Sequence, residues 1–83
     1  MRLLYFGWVR AKIGKPGEEI DRPEGVGDVG GLIAWLKGRG GGYAEALANL
    51  SVVRVAVNQE LAGFDAPVRD GDEVAMFPPM TGG

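Results

Sequence analysis

Residues 28–37, DVGGLIAWLK, predict the main helix of this chain of 83 residues. Val29, Leu32, Ile33 and Leu36 fall at positions i, i+3, i+4 and i+7, which places them on one face of a helix. Asp28 is a typical N-cap residue for the first turn. Each glycine in the segment weakens a helix by roughly 1 kcal/mol relative to alanine, so this helix must pack against a sheet. We expect it to end near residues 38–42, GRGGG.

Two strand patterns precede the helix. Residues 2–9, RLLYFGWV, are rich in aromatic and aliphatic residues and predict a first strand. A loop at residues 11–17, AKIGKPG, leads to a short second strand at residues 18–21, EEID. Together the two strands predict a hairpin.

More strands follow the helix. Residues 43–49, YAEALAN, predict a short helical turn, and the β-branched run VVRVAVN at residues 52–58 predicts a strand. A tight turn then leads to a short strand near Leu61, and a DGDE turn at residues 70–73 leads to a last strand, residues 73–77. An order of hairpin, helix and further strands predicts an α+β fold of the β-grasp, or ubiquitin-like, type. We expect a β-grasp domain over residues 1–77, with a mixed sheet and one main helix across one face, and an extended tail over residues 78–83.

Alternation along the strands predicts which side chains face the helix. Leu3, Tyr5, Val9, Val53, Val55, Val57, Val74 and Met76 form the expected core. The opposite parity leaves Leu4, Phe6, Trp8 and Phe77 on an outer face that nothing in the chain covers. Such a cluster typically marks an interface. The alternative is that one or two of these aromatic side chains lie under a loop.

The composition excludes several classes of partner and catalytic site. With 11 acidic and 9 basic residues the chain has no basic surplus for nucleic acid, so we expect no nucleic-acid partner. Cysteine and histidine are absent, which excludes disulfides, thiolate nucleophiles and Cys/His metal sites. The longest apolar run, residues 3–9, is too short to span a bilayer, and no signal-type cleavage site follows Met1. We therefore expect a cytoplasmic protein without a membrane partner.

Two local patterns have simpler explanations than a ligand site. Residues 25–30, GVGDVG, match a dinucleotide-binding glycine pattern, but the strand before them belongs to a hairpin and not to a parallel βαβ unit. We interpret them as a loop. The acidic residues Asp65, Asp70, Asp72 and Glu73 lack a calcium-loop spacing, and Asp-Gly-Asp is favoured in a tight turn. We therefore predict no metal site.

The C-terminal stretch MFPPMTGG, residues 76–83, is the strongest functional signal. Pro78 and Pro79 cannot continue a strand ladder and stiffen the exit from the sheet. Six residues at about 3.3 Å each reach roughly 20 Å, enough to enter a deep pocket of another protein. Gly82 and Gly83 lack side chains and fit a slot as narrow as a backbone. The Gly83 carboxylate is the most accessible group for covalent chemistry once a nucleotide activates it. A frayed end is the alternative interpretation.

Three stretches and their spacing resemble a known family: FGWVR at 6–10, AVNQEL at 56–61 and FDAPVRDGDEVAMFPPMTGG at 64–83. They are similar to the small subunits of molybdopterin synthase, the ubiquitin-like sulfur carriers of molybdenum cofactor biosynthesis. The resemblance implies that Gly83 is adenylated with ATP by a ubiquitin-activator-type enzyme and converted to a thiocarboxylate by a sulfur donor. The carrier then gives sulfur to cyclic pyranopterin monophosphate, in a heterotetramer with two large subunits. No cofactor is bound permanently, and the chain alone is not catalytic.

The resemblance also implies roles for individual residues. Gly82 threads a channel of the large subunit, and Pro78, Pro79, Met80 and Thr81 form the arm that carries it. Phe6, Leu61 and Phe77 match the family's docking surface, which overlaps the outer face that strand alternation predicts, where Trp8 is also expected.

Three other functions stay open at this point. One is a sulfur carrier of another pathway, such as that of the thiamine thiazole. A second is a protein modifier that joins Gly83 to lysines. The third is an interaction module that uses the outer face while the tail is idle.

Overall fold

The computed structural model describes residues 1–79, in which five strands form one mixed sheet in the order β2-β1-β5-β3-β4. The central strands β1 and β5 run parallel, and every other neighbouring pair is antiparallel. The elements in chain order are β1 (Arg2–Tyr5), α1 (Gly7–Ile13), β2 (Gly17–Glu19), α2 (Val29–Lys37), α3 (Gly41–Ala46), a 3-10 turn (Leu50–Val52), β3 (Arg54–Val57), β4 (Glu60–Ala62) and β5 (Glu73–Phe77). This hairpin, helix and strand order confirms the predicted β-grasp arrangement.

The main helix α2 matches its prediction closely. The Gly31 N–H donates to Oδ1 of Asp28 at 2.7 Å, so Asp28 is the N-cap. The four residues of the predicted apolar face are all buried: Val29, Leu32, Ile33 and Leu36. They share one core cluster with five strand residues, Leu3, Tyr5, Val55, Val74 and Met76, and with Val53, which directly precedes β3. Val57 is only half-buried, but the predicted face of each strand is otherwise confirmed.

The prediction of a strand over residues 2–9 was wrong after Tyr5. Phe6 is still extended, but Gly7 adopts a φ of +57° and begins helix α1, which ends before Gly14 at a φ of +92°. Both angles lie in the left-handed region, which glycine adopts without strain. Residues 11–13 of the predicted loop therefore belong to a helix, and β2 begins at Gly17. The hairpin survives because β2 pairs antiparallel with β1.

The glycine-rich segment that leads from α2 into α3 allows α3 to approach α1 closely. A Cβ on Gly42 would overlap the carbonyl oxygen of Lys12 in α1. Only glycine fits this crossing without a shift of the backbone. The predicted helical turn at residues 43–49 is thus a helix that begins two residues earlier, at Gly41. No helix of residues 1–79 has the length and apolar character needed to cross a bilayer.

A polar cluster around Glu18 ties the hairpin to α3. The hydroxyls of Tyr5 and Tyr43 donate to Oε2 of Glu18 at 2.8 and 2.6 Å, and Arg39 donates to Oε1 at 3.1 Å. Burial raises the pKa of Glu18, but the hydrogen bonds from Tyr43, Tyr5 and Arg39 outweigh burial and hold the pKa below its ordinary value. Burial, with the adjacent Glu18, raises the pKa of Tyr5, so its hydroxyl stays a donor. The cluster holds the ends of three elements together.

Candidate functional site

The sheet face opposite α2, called the outer face, carries an apolar row across four strands. Leu4 of β1 stands beside Ala75 of β5, Ala75 beside Ala56 of β3, and Ala56 beside Leu61 of β4. The small alanines in the middle leave the two leucines standing above the sheet. An apolar strip of this kind is suited to contact with another protein.

A second row on the outer face runs parallel to the first, at the end where β5 meets the tail. Arg54 of β3 is the register partner of Phe77 in β5. Tyr5 pairs with Met76, and the Phe6 N–H donates to the Met76 carbonyl at 3.1 Å, so the extended Phe6 continues the ladder beside Phe77. The three side chains stand together at the exit of the last strand.

Exposure distinguishes the four residues predicted to bind a partner. Leu61 is 78% exposed and Phe6 48% exposed, while Phe77 is half-buried on the same face. The structure therefore brings Phe6, Phe77 and Leu61 to one surface. Trp8 does not belong to it, because the strand that would have placed it there ends at Tyr5. Trp8 lies on α1, where it is half-buried and packs against the core.

Polar residues border the outer face at the end of the sheet away from the tail. Arg2 is flanked by Glu73 on β5 and Glu19 on β2, and its Nη1 lies 3.9 Å from Oε1 of Glu19. Paired charges at a rim contribute little affinity but disfavour apolar contact there. The apolar surface thus has a defined edge and continues toward the tail.

The base of the tail is fixed by a close contact that the sequence analysis missed. An added Cβ on Gly7 would stand 2.6 Å from Cγ and 2.9 Å from Cδ of Pro78. Pro78 therefore lies directly over the first residue of α1, and a side chain at position 7 would displace it. The signal in the sequence was the glycine between Phe6 and Trp8. The predicted tail residues Met80, Thr81, Gly82 and Gly83 lie outside the described residues.

The acidic segment near residue 72 is a turn, as predicted. Asp72 accepts from Asn58 Nδ2 at 3.1 Å and from the Arg69 N–H at 2.8 Å, and Asn58 Oδ1 accepts from the Glu73 N–H at 3.0 Å. The hydrogen bonds from Asn58 and Arg69 lower the pKa of Asp72. No group of three potential metal ligands converges anywhere in residues 1–79. Asn58 also belongs to the separate two-residue turn between β3 and β4, in which Asn58 and Gln59 both have positive φ, and this second turn positions β4 and with it Leu61.

Residues 25–27 of the glycine pattern at residues 25–30 form a loop, as predicted, but residues 29 and 30 already belong to α2. The strand before it, β2, pairs antiparallel with β1, so the chain lacks the parallel βαβ unit of a dinucleotide site at this position. Its last residues begin α2: the Gly30 N–H donates to the Phe64 carbonyl at 2.8 Å, and Asp28 forms an isolated bridge with Pro67. These contacts anchor the helix to the segment after β4.

The fold and the outer face define a β-grasp protein. The model of the ThiS family matches residues 3–83, and the chain belongs to that family. It is 39% identical over 85 residues to the molybdopterin synthase sulfur carrier subunit of Escherichia coli strain K12, covering 100% of this chain and 99% of that protein.

Two solved structures extend the comparison. A Pyrococcus furiosus protein described as molybdopterin converting factor subunit 1 is 31% identical with a TM-score of 0.76, over 95% of both chains. A protein complex of subunits 1 and 2 of the molybdopterin-converting factor of Helicobacter pylori contains a similar chain. That chain is 26% identical with a TM-score of 0.65, over 99% of this chain and 96% of that one.

Proposed function

We propose that this chain is the sulfur-carrier subunit of a molybdopterin synthase, with the Gly83 carboxylate as the group that carries sulfur. The observation that supports this most is the family match, which runs through residue 83 and includes the Gly-Gly end. The similarity to a sulfur carrier subunit over the whole of both chains supports it further. The sequence holds neither cysteine nor histidine, and we propose that other proteins activate the carboxylate.

The proposed chemistry begins with activation of Gly83. A carboxylate oxygen attacks the α-phosphate of ATP on a ubiquitin-activator-type enzyme, and pyrophosphate leaves. Hydrosulfide released by the sulfur donor then attacks the acyl carbon of the adenylate, AMP leaves with the shared oxygen, and the resulting thioacid loses its proton. The product is a thiocarboxylate at Gly83. ATP is thus a co-substrate of the activating enzyme and is not bound permanently by this chain.

In the second stage the thiocarboxylate delivers its sulfur to cyclic pyranopterin monophosphate in the large subunit. The sulfur forms a bond to a substrate carbon while a carbon–oxygen bond of that carbon breaks and the oxygen group leaves, and hydrolysis of the acyl C–S bond then returns the Gly83 carboxylate with an oxygen from water. A dithiolene needs two such transfers, which fits a heterotetramer of two small and two large subunits. Each transfer is followed by another round of activation.

In this cycle the described residues would bind the partner protein and orient the tail. The outer face, with Phe6, Leu61 and Phe77, would bind the large subunit. Phe77 ends β5 on this face, and Pro78 rests on Gly7, so the docked surface and the start of the tail are adjacent. Gly82 would then thread the channel of the partner, carried by Pro78, Pro79, Met80 and Thr81.

The intact mass of the chain tests the first stage. After incubation with an activating enzyme, ATP and a sulfur donor, we expect a gain equal to the exchange of one oxygen for one sulfur. A chain that lacks Gly83 should show no gain. An unchanged mass with an activating enzyme that loads another carrier in parallel would contradict the proposal. Lysine-linked adducts in place of the thiocarboxylate would instead support a modifier, and loading without transfer to the pyranopterin would indicate another sulfur pathway.

A further inference from the structure

Arg54 is a cation that the fold places on the outer face next to the start of the tail. It stands beside Phe77 in the β3–β5 ladder and is exposed. Within residues 1–79, the side-chain cations that lie within 4.0 Å of a carboxylate are Arg2, Lys15, Arg22 and Arg39. Arg54 is not among them, so the described fold supplies it no ion-pair partner.

The guanidinium of Arg54 is nevertheless held in one orientation. Its Nη1 donates to the carbonyl of Ser51 at 3.0 Å and to the carbonyl of Val53 at 3.3 Å. Both hydrogens of this nitrogen are thereby used, while the Nε and Nη2 edge keeps three donors for another group. An edge of this kind matches the two oxygens of a carboxylate in a bidentate pair.

An apolar pocket lies next to Arg54 on the side away from Phe77. Arg54, Leu61, Gly63 and Phe64 contribute to its lining, and Phe64 is 41% exposed. Because Leu61 belongs both to the pocket and to the apolar row, the pocket continues the docking surface toward the β4 edge. The largely apolar lining suits an apolar side chain of a partner.

We infer that the protein that docks on the outer face presents a carboxylate to Arg54 and an apolar side chain to the adjacent pocket. The inference rests on the proposed function, because it takes the large subunit of molybdopterin synthase as that partner. Docking would remove water from the row of Phe6, Phe77 and Arg54, and a charge deprived of water needs an opposite charge. A partner with a lysine or arginine at this position would be rejected, so Arg54 contributes to partner specificity.

The test is isothermal titration calorimetry of this chain with the large subunit from the same organism, at low and at high salt. We expect Arg54→Gln to weaken binding about tenfold and Arg54→Glu on the order of a hundredfold at low salt. Lys37→Glu makes the same change in charge as Arg54→Glu on the helical side of the molecule, and it should bind within about twofold of wild type. Salt should weaken the wild type more than Arg54→Gln.

Two outcomes would overturn the inference. One is binding of Arg54→Glu that equals that of Lys37→Glu, and the other is equal salt dependence of wild type and Arg54→Gln. A melting temperature for each variant shows whether it is folded at the temperature of titration. Wild-type thiocarboxylate mixed with the same large subunit and the pyranopterin tests the proposed function separately. If the wild type transfers sulfur and Arg54→Glu binds as tightly as the wild type, the role of Arg54 is refuted while the proposed function stands.

Discussion

Gly7 lies directly under Pro78, so close that a single added carbon on Gly7 would stand 2.6 Å from Cγ of the proline. The first residue of α1 thus supports the first residue after β5. Since β1 and β5 are parallel neighbours, this contact forms where both strands end. It connects the rigid sheet to the tail that the proposed chemistry requires.

A side chain at position 7 should therefore impair sulfur transfer beyond any effect on folding. Gly7→Val forces a β-branched residue into the left-handed region at a cost of about 1–2 kcal/mol and displaces Pro78. Gly14→Val is the matched control, since Gly14 also has a positive φ but meets no atom within 4 Å of an added Cβ. Both variants should melt at lower temperature, as differential scanning calorimetry will show. At equal folded fraction only Gly7→Val should transfer sulfur more slowly, and equal transfer rates would disprove the aiming role of this contact.

The outer face should be a binding surface and not a stability element. Leu61→Arg places a charge in the apolar row, and because Leu61 is 78% exposed the free energy of unfolding should change by less than about 0.5 kcal/mol. Binding to the large subunit should weaken by about 2 kcal/mol, roughly thirtyfold, as for a central interface residue. Ala34→Arg, at an exposed position of α2, should bind as the wild type does. A large drop in unfolding free energy for Leu61→Arg would mean that the side chain supports the fold.

Acid should destabilise the protein partly through Glu18. Its folded pKa lies below the ordinary value, so ionised Glu18 favours the folded state at pH values above about 4.3, the ordinary pKa of glutamate. That contribution is lost as the pH falls through the lower folded pKa. Urea titrations at a series of pH values should show that Glu18→Gln is less stable than the wild type at pH 7. The difference should shrink on acidification, and a constant difference would contradict the assigned role of the carboxylate.

Removal of Gly82 and Gly83 should abolish sulfur loading without affecting the fold. Within residues 1–79, every residue of the buried core lies between Met1 and Met76. Circular dichroism of the truncated chain should therefore give the same melting temperature as the full chain. Calorimetry should still detect binding to the large subunit through the outer face. A truncated chain that still supports formation of the molybdopterin dithiolene would favour the interaction-module function over the carrier function.

The sequence predicted the fold because its strongest local patterns agree with the tertiary arrangement. The spacing of Val29, Leu32, Ile33 and Leu36 matches the helical period, and the alternation in the central strands matches the two faces of the sheet. The segment around Gly7 was wrongly predicted to be a strand because its aromatic residues have a high strand propensity. Val9 and Ile13 also lie four residues apart, which is a helical spacing. Because α1 has only seven residues, this one spacing does not outweigh the strand propensity of the segment.

Other features were not accessible from local patterns. The Glu18 cluster joins residues 13 and 25 positions apart in the chain. The contact of Gly7 with Pro78 depends on the parallel pairing of the first and last strands. Strand parity did place Phe6 and Phe77 on one face, and the register shows that Leu61 and Arg54 lie on the same face. Trp8 was misplaced because its assignment depended on a strand that ends three residues earlier.

The central claim is tested most directly by a single turnover of carrier that already bears the Gly83 thiocarboxylate. Intact mass is recorded after the carrier is mixed with the large subunit and cyclic pyranopterin monophosphate, and after mixing with each alone. We predict that sulfur is replaced by oxygen in the carrier only in the complete mixture, with two carriers consumed per dithiolene formed. A thiocarboxylate that persists in the complete mixture, while a known carrier reacts under the same conditions, would contradict it.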